Sequence, residues 1–299
     1  MDFRKSPTTF EEQLSKLESR GLIISDRASA KHYLSHINYY RFGVYAWYFL
    51  ENKQNHTFYE GTRFEDVLQT YVFDRELRIL ILEAVERIEV SLRTSWAYNF
   101  SHINGPHGHL NPRNFNFGKG KTHLQFLSTL LSELNRTKES YIKEQMQKYN
   151  EATPAIWICC EVMSFGSLSK AFSSTRNLEI LKLISQEYNL NHEVLKSFLH
   201  HLTVVRNICA HHSRLWNRNL QFQLKIPTNG DRSFIKAFTK CDKNKLYNTL
   251  VMLSYLLRKV SPDTSWAERL KGLVSEYPAI DPSHIGFPKQ YNDFDFWNN

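Results

Sequence analysis

Apolar residues recur every three or four positions along most of the chain, and this period predicts an almost entirely helical protein. The longest such segment runs from Phe64 to about His102 without a Gly or Pro. We expect it to form one long helix and the backbone of the fold. The residues on its predicted buried face are Leu77, Ile81, Ala84, Val85, Ile88, Leu92, Ser95 and Trp96.

Acidic and basic residues lie four positions apart along the same segment, which is the spacing at which side chains on a helix surface meet. We expect structural ion pairs here, either solvated or between helices. The pairs are Asp74 with Arg78, Glu83 with Arg87, and Glu89 with Arg93.

Three shorter helices are predicted before residue 60. The first covers 10–20 and stops at Gly21, and the second follows the capping residue Asp26. The third covers about 39–51 and has an aromatic stripe along one side. We expect this stripe in the core, and the alternative is a platform on which bases stack. It consists of Tyr40, Val44, Trp47 and Tyr48.

The second half of the chain continues the helical pattern after a long loop, which the Gly and Pro residues of 104–122 predict. The tail from Tyr277 carries Pro among aromatic residues, and we expect it to lie extended. The pattern allows short strands only near 220–226. Further helices are predicted, with a bend at Gly166, over 124–149, after Pro154, and over 177–189, 192–210, 243–260 and 266–276.

The composition is that of a globular all-α protein, and we expect it in the cytoplasm. Of the 299 residues, 41% are hydrophobic, enough for a core that needs neither disulfides nor a structural metal. No apolar stretch reaches the roughly 18 uncharged residues of a membrane span, and the polar segment 1–9 lacks the apolar core of a signal peptide. The four cysteines include no CxxC pair, which argues against a disulfide framework or a thiolate zinc site.

The charge favours a polyanionic partner. The chain has 38 Lys and Arg against 30 Asp and Glu, a formal net charge of +8. Many proteins this basic bind no nucleic acid, so charge alone leaves the question open. The long loop carries cations that we expect to contact phosphates, namely Arg113, Lys119 and Lys121.

The densest cluster of polar residues lies late in the chain. On a helix His200, Asn207 and His211 share one face, and Arg206 lies one step round from Asn207. Arg206 and His211 are about 7.5 Å and about 140° apart on an ideal helix. They converge only if Arg206 reaches across, if the helix loosens near Ala210, or if a second copy of the segment faces the first.

An Arg and a His together suit the cleavage of RNA without a metal. Histidine moves a proton near neutral pH, to or from the 2′-hydroxyl or the leaving oxygen. The planar guanidinium of arginine pairs with two phosphoryl oxygens at once. Asn207 would orient the imidazole or bind a phosphate oxygen.

Three other interpretations of the cluster stay open. Arg-x4-His occurs by chance in many helical proteins. A zinc site would need His200, His201, His211 or His212 to converge with an acidic or Cys ligand, and the chain has no HExxH pattern. Cys209 as a nucleophile would need a nearby base and an exposed position, whereas its apolar neighbours predict burial.

Residues 206–218 read Arg-Asn-Ile-Cys-Ala-His-His-Ser-Arg-Leu-Trp-Asn-Arg, and four further blocks accompany them. The blocks are Tyr40-Arg-Phe-Gly-Val-Tyr45, Phe73-Asp-Arg-Glu-Leu-Arg78 with Glu86 and Glu89 after it, Pro154-Ala-Ile-Trp157 through Glu161 to Ser169, and Gly286-Phe-Pro288. In this order they resemble the Abi-like proteins of the AbiD and AbiF type. These are bacterial phage abortive-infection proteins of the HEPN superfamily of helical ribonucleases.

The resemblance implies an HEPN-type helical bundle elaborated with extra N- and C-terminal helices. We therefore expect a single domain over 1–299. Its parts would be N-terminal helices over 1–60, a helical core with the Arg-x4-His motif over 61–220, and C-terminal helices with a tail over 221–299.

The resemblance also implies an active site made of Arg206, Asn207 and a histidine. Both His211 and His212 satisfy the Arg-x4-6-His spacing of the superfamily, so the identity of the catalytic histidine stays open. We favour His211, which follows Asn207 by four residues on the same face. Two such motifs commonly meet at a dimer interface in that superfamily, and this chain has one, so a homodimer is expected.

An RNA partner, without metal or cofactor, is a further implication. AbiF-type proteins resemble toxins that a small structured non-coding RNA restrains, and the target would be a cellular or phage RNA. Arg214, Trp216 and Arg218 would bind RNA by ion pairing and stacking, unless Trp216 is core and both arginines are structural. A non-catalytic RNA-binding sensor or assembly module and a helical scaffold are the alternative functions.

Overall fold

The computed structural model describes residues 6–120, 122–228, 231–238 and 243–298. Over these ranges the chain is all-α, as predicted, with 14 α-helices, short 3-10 turns and one two-stranded sheet. None of the described helices is both long enough and apolar enough to cross a bilayer.

The helices follow the apolar period closely, and five of the predicted segments agree with the observed ones to within two residues. The α-helices are α1 (Phe10–Glu18), α2 (Arg27–Ile37), α3 (Tyr39–Ala46), α4 (Phe64–Asn104), α5 (His123–Arg136), α6 (Ser140–Lys148), α7 (Ile156–Val162), α8 (Phe165–Ser174), α9 (Leu178–Glu187), α10 (His192–Ala210), α11 (Arg232–Ala237), α12 (Tyr247–Val260), α13 (Trp266–Glu276) and α14 (Asp295–Asn298). The strands β1 (Leu50–Asn52) and β2 (Thr57–Phe58) pair antiparallel. The five close agreements are α1, α4, α9, α10 and α13.

The described chain divides into two compact units. The first contains the residues up to Arg78 together with Lys271–Asp281, and the second contains Ile79–Leu270 and the residues from Pro282 onward. Two helices, α4 and α13, contribute residues to both units. The single domain with three successive parts stays a prediction.

Local capping sets the helix ends in the first unit. Thr9 and Glu12 form a capping box at the start of α1, and Gly21 follows the helix with a φ of +94°. Glycine takes this left-handed conformation without the clash that a Cβ would cause. Asp26 caps α2 by accepting a hydrogen bond from the backbone N–H of Ser29, as predicted.

The aromatic stripe of α3 lies on the surface, so its predicted place in the core is wrong. Tyr40 is 74% exposed, Val44 44% and Trp47 40%. Both faces of α3 carry aromatic residues, so the apolar period did not identify the inward face. The helix also ends early and leads into the β1–β2 hairpin, which the sequence did not predict. The buried residues of α3 are Phe42, Tyr45 and Ala46.

A buried polar network joins α3 to α4 within the first unit. The Tyr45 hydroxyl donates to Asp74 Oδ2 at 2.6 Å, and Arg78 Nη1 donates to Asp74 and to the Tyr45 oxygen. The Asp74 side chain is fully buried and that of Arg78 is 6% exposed, so this predicted pair is not solvated. Burial, and then the Asp74 charge, raises the pKa of Tyr45, which keeps its proton for the carboxylate.

The predicted apolar face of α4 is buried along its whole length, as expected. The other two predicted ion pairs also form, Glu83 with Arg87 and Glu89 with Arg93. Within the second unit, Trp266 Nε1 donates to the carbonyl oxygen of Leu80 at 2.8 Å, which fixes the start of α13 against α4.

Three predictions about the second unit are wrong in detail. The bend expected at Gly166 lies between α7 and α8, where Ser164 accepts a hydrogen bond from the Ser167 N–H and starts a new helix. The tail is not extended, because it forms 3-10 turns and α14, whose Phe296 and Trp297 are buried. Residues 220–226 form no strand in the described structure.

The substitution Tyr45→Phe tests the buried network. We expect it to lower the free energy of unfolding by about 1–3 kcal/mol, because Asp74 loses a hydrogen bond where water cannot replace it. Urea unfolding followed by circular dichroism measures the change. The control is Tyr40→Phe on the same helix, where we expect less than about 0.5 kcal/mol. Equal effects of the two substitutions would show that the network does not stabilise the fold.

Candidate functional site

The candidate site lies at the end of α10, a helix oriented by its apolar face. The Asn191 side chain caps the start of α10 by accepting from the Glu193 N–H at 2.8 Å. The opposite face leaves His200 and Asn207 exposed. The helix ends after Ala210, as predicted. Its buried residues are Val194, Leu195, Phe198, Leu199, His201, Leu202, Val205 and Cys209.

The end of α10 is a left-handed turn at His212, whose φ is +54°. The His212 N–H donates to Cys209 O, and the Ser213 N–H donates to Ile208 O, both at 3.0 Å. This is the Schellman arrangement that commonly ends helices, although glycine is the usual residue at the left-handed position. His211 is the last half-helical residue, and both histidines are exposed. The chain therefore leaves the helix five residues after Arg206.

Arg206 and Asn207 contact each other on the last turns of α10. Arg206 Nη1 donates to Asn207 Oδ1 at 3.4 Å. Arg206 is half-buried, whereas Asn207 and His211 are exposed. The structure thus brings the four predicted catalytic residues to one helix end at the surface. In this conformation the guanidinium bonds to the amide and not to either histidine.

A pair on α4, Glu89 with Arg93, completes the surroundings of Arg206. Arg93 bonds to Glu89 and donates to the carbonyl oxygens of Glu161, at 3.2 Å, and Met163, at 2.7 Å. Burial raises the pKa of Glu89, while the positive charges of Arg93 and then Arg206 act in the opposite direction. The charge of Arg206 therefore acts on the Glu89 carboxylate, which is itself paired with Arg93. The spacing of four revealed the pair, but no sequence pattern linked it to Arg206.

Three residues that follow the motif, Arg214, Trp216 and Arg218, contact neighbouring residues of the chain. Trp216 is 2% exposed, and its ring packs edge to face against the His284 ring, with 5.1 Å between the ring centroids. Arg214 donates to the Trp216 carbonyl, and Arg218 Nη1 donates to the Arg214 carbonyl at 3.2 Å. A base has no exposed face of Trp216 on which to stack. The expected stacking on Trp216 is therefore corrected to a structural role, while ion pairing of the half-buried Arg214 and Arg218 with RNA stays a prediction.

The basic loop before α5 is accessible in its described part. Arg113 and Lys119 are exposed, and Lys121 lies outside the described residues. The base of the loop is tied to the end of α8, because the Asn116 N–H donates to Ser174 O at 2.6 Å. The two exposed cations remain candidates for phosphate contacts.

The cysteines do not provide a reactive thiol in the described residues. Cys159, Cys160 and Cys209 are buried, which agrees with the predicted burial of Cys209, and Cys241 lies outside the described ranges. Burial raises the pKa of Cys159 and of Cys160 to about 12. Across the described ranges no group of three His, Cys, Asp or Glu side chains has a geometry for a metal ion.

Two buried histidines of the second unit are held neutral. His201 Nδ1 donates to Phe222 O at 2.6 Å, so its Nε2 accepts from the Thr249 hydroxyl at 2.8 Å. His109 Nε2 lies 2.7 Å from the Thr153 hydroxyl oxygen. Burial lowers the pKa of each imidazole to about 4.

Comparison with known protein families places the chain. A family model described as Abi-like protein matches residues 32–217, which is more than half of the chain and includes α10 with Arg206, Asn207 and both exposed histidines. No curated protein and no solved structure matches the chain.

The two buried histidines predict a loss of stability in acid. In the unfolded chain an imidazole gains a proton below about pH 6.5, whereas the folded protein resists this until about pH 4. The stabilisation is complete above pH 6.5 and is lost as the pH falls toward 4. As the pH falls from 7 to 5, we expect the free energy of unfolding to decrease by about 2 kcal/mol for each of the two histidines.

Urea unfolding at several pH values measures this slope. His201→Gln should flatten it, while His102→Gln, at an exposed position on α4, should leave it unchanged. A slope that is identical in the parent and in His201→Gln would contradict the assignment of His201 as a buried neutral group.

Proposed function

This chain belongs to the Abi-like protein family, and from that premise we propose that it is an antiphage effector that cleaves RNA at the end of α10. Family membership supports a role in phage abortive infection. The observation that carries the finer proposal is that the last turn of α10 and the residues directly after it carry a half-buried guanidinium, an amide bonded to it and two exposed imidazoles. This combination of groups has the chemistry of a metal-independent ribonuclease.

Each residue has a defined part in the proposed reaction. The Arg206 guanidinium binds the phosphoryl oxygens and neutralises the charge that develops on them. Asn207, 3.4 Å from Arg206, holds a phosphate oxygen or the imidazole. His211 transfers the proton. Glu89 positions Arg206 through its charge.

The reaction is an internal transfer at phosphorus. The ribose 2′-oxygen forms a bond to phosphorus, and the bond from phosphorus to the 5′-oxygen breaks. One His211 imidazole accepts the 2′-hydroxyl proton, and the His211 imidazolium of a second copy gives a proton to the departing 5′-oxygen. The products are a 2′,3′-cyclic phosphate and a 5′-hydroxyl. A homodimer is part of the proposal because the chain carries one copy of the motif.

The proposed partners are RNAs. Resemblance to the AbiF type of the HEPN superfamily supports a small structured non-coding RNA that restrains the protein, and a cellular or phage RNA as its target. The net charge of +8 and the exposed cations Arg113 and Lys119 favour binding to phosphates.

A second candidate is an RNA-binding sensor or assembly module that does not cleave. The hydrogen bond from Arg206 to Asn207 favours it, because the guanidinium is not joined to a proton-transfer group in this conformation. In that case Arg206 and His211 grip RNA, and binding depends strongly on salt.

Substitution of the two central residues tests the proposal. Arg206→Ala and His211→Ala should each lower RNA cleavage by the purified protein about 100-fold or more, and should abolish toxicity in cells, because each removes one half of the phosphoryl chemistry. The matched control is His200→Ala, an exposed histidine on the same face of α10, which should cleave like the parent. Folded Arg206→Ala protein with full activity would refute the proposed site.

The substitution His212→Gly separates the two candidate histidines. Glycine adopts the φ of +54° found at His212, so the helix end is preserved while the imidazole is removed. We expect cleavage at the parent rate. Loss of cleavage as severe as in His211→Ala would assign proton transfer to His212 instead.

A further inference from the structure

Trp157, in the first turn of α7 in the second unit, is an exposed tryptophan. Trp157 is 50% exposed, whereas four of the six tryptophans are at most 2% exposed. It lines a cavity of about 560 Å³, a volume in the range of small-ligand sites. Other residues of the cavity wall are Pro106, Met146, Tyr149, Thr153 and Pro154.

The wall of this cavity continues along α6 as a strip of regularly spaced side chains. Tyr141 and Gln145 are four residues apart on one side of α6, about 6 Å from one to the next, and Tyr149 is the extended residue directly after the helix. Tyr141 is 47% exposed and Tyr149 51%. Exposed rings in a row are the feature on which single-stranded nucleic acids stack their bases.

Polar and charged groups around the cavity suit a nucleotide. Lys148 Nζ lies over the Tyr149 ring, 5.4 Å from its centroid, where it can meet a phosphate beside a stacked base. Gln145 and Glu151 line the cavity and can bond to the edge of a base. The Thr153 hydroxyl is fixed from behind by His109 at 2.7 Å.

Residues of the second unit connect the wall of the cavity to the surroundings of Arg206. Glu161 lies one helical turn after Trp157 on α7. Desolvation and then the Glu161 carboxylate raise the pKa of Tyr141, and the Arg93 charge opposes this. Arg93 in turn donates to the Glu161 carbonyl and pairs with Glu89, the neighbour of Arg206. The stacking groups and Arg206 thus flank the same polar cluster.

We propose that Trp157 and Tyr149 hold an unpaired base of a single-stranded RNA, whose strand passes Tyr141 to reach Arg206. This rests on the proposed function and names its substrate class, RNA with unpaired bases beside the cleaved linkage. A duplex cannot use the site, because its bases are stacked on one another and their faces are covered.

The test is a titration with an unstructured ten-nucleotide RNA in the His211→Ala background, which keeps Arg206 but stops cleavage. Binding should quench tryptophan fluorescence, since a base stacks on an exposed indole. Trp157→Phe should remove most of the quench. Trp157→Ala should weaken binding about 10-fold, and Tyr149→Ala to a similar degree.

The control variant is Trp47→Ala, which removes an indole of similar exposure, 40%, in the first unit. It should bind the RNA like its His211→Ala parent. A duplex of the same length should bind without the Trp157-dependent quench.

Each outcome supports or overturns the proposal. Unchanged binding in both Trp157→Ala and Tyr149→Ala, or a duplex that quenches Trp157 as the single strand does, overturns it. Quenching by an apolar dye without quenching by RNA assigns the cavity to another ligand and also overturns it. Full cleavage by Arg206→Ala would refute the catalytic site alone, because the fluorescence titration reports on the cavity independently.

Discussion

The left-handed turn at His212 is the constraint on which the candidate site depends. His211 is the last half-helical residue of α10 and lies about 140° round from Arg206 on the helix. Directly after it the backbone leaves the helix, held by the two hydrogen bonds of His212 and Ser213 to the preceding turn. Two exposed imidazoles therefore stand at the end of the helix that carries a half-buried guanidinium.

Burial of apolar side chains determines which residues surround the end of α10. The apolar face of α10 packs inward and the apolar face of α4 does the same, which leaves Glu89 and Arg93 at the border between core and solvent. Arg93 also donates to the carbonyl oxygens of Glu161 and Met163. These hydrogen bonds hold the Glu89–Arg93 pair in place, and the charge of Arg206 acts on its carboxylate.

The sequence predicts the helices and the motif, but it does not predict which side of every helix is buried. The period predicted the bounds of α4 and α10, and on α4 it also predicted the buried face, because that helix has one continuous apolar side. On α3 aromatic residues occur on both sides, and the buried side was decided by Phe42 and Tyr45, not by the stripe. The sequence also did not decide whether Trp216 is buried or exposed, because a tryptophan beside two arginines is found both in a core and on a surface that stacks bases. The link from Glu89 to Arg206 depends on tertiary packing and leaves no local pattern.

The most direct measurement is the chemistry of the ends left when purified protein cuts RNA in EDTA. Proton transfer by an imidazole next to a guanidinium predicts cutting under these conditions, with a 2′,3′-cyclic phosphate on one fragment and a 5′-hydroxyl on the other. Fragments with a 3′-hydroxyl and a 5′-phosphate, or cutting that requires a divalent metal, would contradict the assignment of Arg206 and His211 as the reacting groups.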